Sequence, residues 1–318
     1  MIKALSDKFF HRFLDGDLSE IIDFLHGRPQ FKLNLCGDHV TIYYKGMPTI
    51  EIHEKDEPGV FWLTQFAYMT SAEKFDTNFE KIISSPKFFE KKLYKLNLSN
   101  IGFWFQLLTD IASGIDKNII DVPAFMFDDY QEHLDILHNI VMENNAAFNS
   151  TDYFIIDIEY NKTNDKSNKP TIVALHWEHN IKNNKHLYPE IAFIEIKVGA
   201  DSMEPIKKIS LNDKVFDDID KAIYQMCKLY LISVPGIKNV AAIKPIKVKR
   251  DKIQMIIAPV NCNLNYPVYL KKITKLSKTG CIDFRIATAS CIGYGLYDKN
   301  MMTPDKFNTI FDQPTQRE

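Results

Sequence analysis

Apolar residues at Leu14, Leu18, Ile21, Ile22, Phe24 and Leu25 recur in steps of three and four, which predicts helix within residues 1–30, closed by Gly27 and Pro29. The period then changes to two. The runs Phe31-Lys-Leu-Asn-Leu-Cys and His39-Val-Thr-Ile-Tyr-Tyr flank Gly37-Asp38, a two-residue hairpin turn, and a second turn at Lys45-Gly46-Met47-Pro48 leads into Thr49-Ile-Glu-Ile-His. These runs predict a three-stranded meander. The aromatic-rich stretches 61–68, 88–96 and 103–111, separated by Ser-Pro, Asn-Leu-Ser-Asn and Ser-Gly, read as helical pieces. Val122-Pro123 then closes an N-terminal α+β domain over residues 1–125, whose role the pattern does not reveal.

From residue 126 the pattern predicts a helix at 127–146, strands at 153–160, 171–178 and 191–198, a helix at 212–233, and strands at 239–248 and 252–260. The second domain is therefore expected over 126–318, with a core at about 126–260 and a basic extension at 261–318. Between its first two strands, residues 161–170 are almost wholly polar and fit an exposed hairpin tip. No internal repeat or low-complexity stretch interrupts this order.

Composition narrows the class without naming a chemistry. The 318 residues are 45% hydrophobic and 25% charged, as in an ordinary globular protein able to bury a core unaided. With 39 Lys and Arg against 41 Asp and Glu the net charge is −2, so a nucleic-acid surface has to be a local patch. Five cysteines, an odd number without any CxxC pair, argue against a disulfide framework and against a thiolate zinc site. Asp7, Lys8 and His11 interrupt the N-terminal apolar positions, and no stretch reaches the roughly 18 apolar residues of a membrane span, so a cytoplasmic location is expected. Phosphate-loop, dinucleotide, HExxH, nucleophile-elbow and EF-hand patterns are all missing from the sequence.

Candidate chemistry concentrates in the second domain. In Ala192-Phe-Ile-Glu195-Ile-Lys197-Val-Gly199 a carboxylate and an ammonium stand two apart in an apolar strand, hence on one face of it. Such a pair can hold a divalent cation and position a water, or else form an ion pair on a solvated face. Tyr153-Phe-Ile-Ile-Asp157-Ile-Glu159 again sets two acids at this spacing, and charges in strands that read as buried on both faces are costly unless paired or metal-bound. On the preceding helix Glu132 falls in line with Ile136 and Ile140, at the inward edge of the apolar stripe, although a first-turn acid also suits the helix dipole. Residues 238–280 hold ten basic side chains and one acid, Asp251, a net +9 that suits a polyanion or blunts an exposed sheet edge. His176 and His179, three apart on a strand, face opposite sides and make a poor zinc pair.

A helix bearing Glu132 and ending in Asn144-Asn145, a strand Asp157-Ile-Glu159-Tyr160, a strand with Glu195-Ile-Lys197 followed by Gly199, and a helix holding Gln225 together resemble the PD-(D/E)XK nuclease superfamily over about 126–260. The resemblance implies an α/β restriction-endonuclease-like core of helix, three-strand meander, helix and strand. It also implies Mg²⁺- or Mn²⁺-dependent hydrolysis of DNA phosphodiesters. Asp157, Glu159 and Glu195 would be metal ligands, Lys197 would orient or deprotonate the attacking water, and Glu132 and Gln225 would support the site. Lys244, Lys247, Lys249, Arg250 and Lys252 would meet the nucleic acid. Related chains often carry an Asp where this one has Thr171, so the alternative implied is a nuclease-like module that binds nucleic acid or a protein without cleaving. Threonine is a weaker Mg²⁺ ligand than a carboxylate.

Overall fold

The computed structural model describes residues 3–88, 92–98, 101–118, 130–145, 151–159, 171–176, 188–198, 212–229, 231, 247–260, 283–287 and 295–311. It is a mixed α and β protein with two sheets, divided into two compact units. Residues 2–138 with 221–243 form one unit, and residues 139–220 with 244–318 form the other.

The N-terminal unit begins with two short helices, α1 (Asp7–Leu14), capped by the Ser6 hydroxyl accepting from the Phe9 N–H, and α2 (Ser19–Leu25). Then come β1 (Phe31–Leu35), β2 (His39–Tyr44) and β3 (Met47–His53) as the alternation requires. Lys45 and Gly46 both have positive φ, 48° and 77°, the turn whose twist matches that of the strands it joins.

The sheet does not stop at three strands. The expected helical pieces at 61–68 and 88–96 are corrected over 61–64 and 93–96, with 65–68 helical as expected: β4 (Val60–Thr64) and β5 (Leu93–Asn97) extend the sheet to five antiparallel strands in sequential order. Phe61 and Leu63 point inward while Val60 and Trp62 are half-buried, and Tyr94 and Leu96 alternate with exposed Lys95 and Asn97. Aromatic density masked a period of two in runs of only five residues. The helices α3 (Gln65–Ser71), α4 (Phe79–Ile83) and α5 (Trp104–Asn118) complete this part, and Trp104, Leu107, Leu108, Ile111 and Ile115 of α5 are buried.

The second sheet follows the predicted order closely. After α6 (Tyr130–Asn145) come β6 (Tyr153–Glu159), β7 (Thr171–His176) and β8 (Glu190–Val198), an antiparallel meander. Next are α7 (Asp213–Lys228) and β9 (Ile253–Val260), which lies parallel to β8. Of the strand expected at 239–248, residues 247 and 248 are irregular and 239–246 lie outside the described residues, as does the polar stretch 161–170. Inside the expected basic extension, β10 (Asp283–Ala287) adds in parallel to β9, β11 (Met301–Met302) closes the edge antiparallel, and α8 (Pro304–Phe311) follows. The strand order is β11-β10-β9-β8-β7-β6. Ile172, Ala174, Ile194 and Ile196 on one face, and Val173, Leu175, Phe193 and Ile257 on the other, are all buried. This accounts for the nearly continuous apolar runs in the sequence of these strands.

Candidate functional site

Strand register decides which predicted residues can meet. Glu159, Thr171 and Glu195 are consecutive cross-strand partners, and Asp157, Val173 and Phe193 form the next row. Lys197 lies two positions beyond Glu195, so its position shares that face of the sheet. Two strand spacings of about 4.8 Å separate β6 from β8, which puts the Glu159 and Glu195 backbones roughly 10 Å apart.

The row exists because β6 carries a bulge. Ile155 pairs with Ala174, but the next pair is Asp157 with Val173, leaving Ile156 as the extra residue. Counted without that insertion, Asp157 would fall opposite Ile172, on the face of Ile194 and Ile196 and away from Glu195. One inserted residue thus carries Asp157 and Glu159 to the face of the Glu-x-Lys pair. Asp157 is 5% exposed and Glu195 half-buried. The side chains of Glu159, Thr171 and Lys197 lie outside the described residues. Among the described residues no three His, Cys, Asp or Glu side chains gather as a ligand set. Mg²⁺, which keeps several waters and is commonly held by one or two carboxylates, suits Asp157 and Glu195 better than zinc does.

The two outer members of the expected site belong to the other unit. Glu132 is on α6 in the part grouped with the N-terminal residues, and its side chain is outside the described set. Gln225, buried on α7, has a structural commitment: its Oε1 accepts from the Leu5 N–H at 2.8 Å and its Nε2 donates to the Leu5 carbonyl at 3.0 Å. Its amide ties down the N-terminal segment.

Three residues of the basic cluster are paired with acids. Lys249 and Lys252 reach Glu190 Oε1 at 3.0 and 3.1 Å. Arg250 is ringed by Asp213, Asp217 and Asp220 of α7. Lys247 is exposed, and Lys244 lies outside the described residues. Lys249, Arg250 and Lys252 thus each face acids from other segments of the chain, while Lys238, Lys271, Lys272, Lys275 and Lys278 of the same window also lie outside the described residues.

At the opposite end of β8 stands a polar network absent from the sequence reading. His176 Nε2 lies 2.8 Å from Asp298 Oδ2 and its Nδ1 lies 3.3 Å from Glu190 Oε2. Gln254 donates to Glu190 at 2.9 Å and accepts from the Tyr153 hydroxyl at 2.7 Å, while the Tyr153 and His176 rings stack at 4.7 Å. Burial pushes the Glu190 carboxyl up, but hydrogen bonds from Lys249, Lys252, Gln254 and His176 outweigh it and hold it at about 2. Burial, reinforced by the Asp298 charge, drives the Tyr153 phenol well above its usual range. A polar residue inside an apolar strand was the signal available for this network: Gln254 sits in Ile253-Gln-Met-Ile-Ile-Ala. Glu190 and Glu195 are five residues apart, an odd step that places them on opposite faces, about 17 Å apart along the strand. The network and the acid row are therefore separate features.

No family model matches the chain, and neither a curated protein nor a solved structure matches it significantly.

Proposed function

We propose that this chain is a metal-dependent nuclease of restriction-endonuclease-like architecture that hydrolyses DNA phosphodiesters. The observation that carries the reading is the bulged register of β6, which gathers the Asp157, Glu159, Glu195 and Lys197 positions on one face of the sheet. The order helix, three-strand meander, helix, parallel strand supports it, because that is the plan the resemblance implies. Thr171 pairs in register with Glu159 on one side and Glu195 on the other, at a position where the resemblance implies an acid; in this reading the Glu159 position would supply the charge instead.

When bound, Mg²⁺ or Mn²⁺ would supply a water of lowered pKa and offset the charge that develops on the phosphate. Asp157, Glu159 and Glu195 are the residues that would hold the cation, and Lys197 would orient the attacking water. Burial of Asp157 beside Val173 and Phe193 keeps part of the site dry, which strengthens its electrostatics. Cleavage of supercoiled DNA in Mg²⁺ or Mn²⁺ is expected from the wild type. Glu195→Ala combined with Lys197→Ala is expected to reduce the rate by about 10²-fold or more. Undiminished cleavage by the double variant rejects the reading.

Thr171, at a position where the resemblance implies an Asp, favours a second reading, a module that keeps the fold and does not cleave. It is chosen over the first if the wild type binds DNA without metal and never cuts it.

A further inference from the structure

α6 ends in two asparagines with different tasks. Asn144 Oδ1 accepts from the Leu296 N–H at 2.9 Å, and its amide donates to the Ile140 carbonyl. Asn145 is bonded twice to a single residue: its Nδ2 donates to the Ile155 carbonyl at 2.8 Å and its Oδ1 accepts from the Ile155 N–H at 2.8 Å. That reciprocal pair is what an adjoining antiparallel strand would offer. β6 is the outermost strand of the described sheet, so the Asn145 amide stands in for a neighbour along that edge.

Ile155 is also the last residue in register before the bulge. Fixing both of its backbone groups toward the edge sets the strand's orientation where Ile156 is inserted. We propose that Asn145 is a positioning residue: it locks the bulged register of β6 and so keeps the Asp157 and Glu159 positions on the face of Glu195. Its chemical consequence rests on the nuclease reading, whereas its geometric consequence does not. In the slipped alternative Asp157 falls opposite Ile172 and the acid row is dismantled.

The test follows the β6–β7 register by interstrand nuclear Overhauser contacts and Mn²⁺ affinity by calorimetry with DNA present, in the full chain. Asn145→Ala is expected to lose the Asp157–Val173 contacts and to weaken Mn²⁺ binding about 10–100-fold, the usual effect of removing an outer-shell partner. Asn144→Ala, at the same helix end, is expected to lower the thermal midpoint and leave register and affinity unchanged. If Asn145→Ala does not fold, Asn145→Asp keeps the acceptor for the Ile155 N–H and loses the donor, and both readouts should move partway. Native register and affinity in the folded Asn145 variant overturn the proposal, and so do equal changes in the Asn144 and Asn145 variants. A shifted register in a protein whose wild type binds no Mn²⁺ upholds the positioning role and removes the nuclease reading instead.

Discussion

Glu190 has four hydrogen-bonding partners and 4% exposure, and its charge state couples folding to pH. An acid held at about 2 in the fold, against an ordinary 4.5, adds stability that is fully present above 4.5 and lost as pH falls toward 2. The amount is on the order of 3 kcal/mol. Urea unfolding between pH 2 and 6 should show this slope in the wild type and a flatter one in Glu190→Gln; equal slopes would remove Glu190 from the account. The lysines test the same network from outside. Lys249→Ala with Lys252→Ala leaves a buried carboxylate with weaker support, so a loss of roughly 1–3 kcal/mol is expected without any nucleic acid present. Stability unchanged in that variant would return both lysines to the surface-patch role expected from the sequence. At this scale the acids were legible because charges in apolar strands stand out, as Asp157, Glu159 and Glu195 do. His176, Gln254 and Asp298 were not, because their partnership joins residues 78 and 122 positions apart along the chain.

At the scale of elements, the meander and the helices around it were readable from period and turns, whereas β4 and β5 were hidden by aromatic residues in runs too short to fix a period. The bulge was illegible for a different reason: an extra residue in a strand is defined only against its partner. Gly59 shows how closely the hidden strands fit. Its φ is 88°, and a Cβ there would lie 2.6 Å from the Leu98 carbonyl oxygen, beside the hydrogen bond from the Leu98 N–H to the Gly59 carbonyl. Gly59→Ala combines left-handed strain with a backbone clash and should cost at least about 2 kcal/mol by chemical denaturation. A cost below half a kilocalorie would contradict the packing of β4 on β5.

At the scale of the whole molecule, charge counted along a window differs from charge met in space. Under the nuclease reading, Lys247→Ala is expected to reduce the slope of log affinity against log salt by about 0.9, because an exposed lysine releases a counterion on binding phosphate. Arg250→Ala should leave that slope unchanged, since Asp213, Asp217 and Asp220 already balance it. Fluorescence anisotropy across a salt series distinguishes the two, and equal slopes would mean that Arg250 exchanges its acids for DNA. The tether between Leu5 and Gln225 has a consequence for the order of folding. Within their sheet, strands β1 to β5 are paired in sequence order, a local arrangement that forms quickly. The amide that fastens Leu5 arrives 220 residues later. During synthesis the meander can therefore assemble before the clasp on Leu5 exists, and the N-terminal unit gains that last fastening only after β6, β7 and β8, three of the six described strands of the second sheet, have been made.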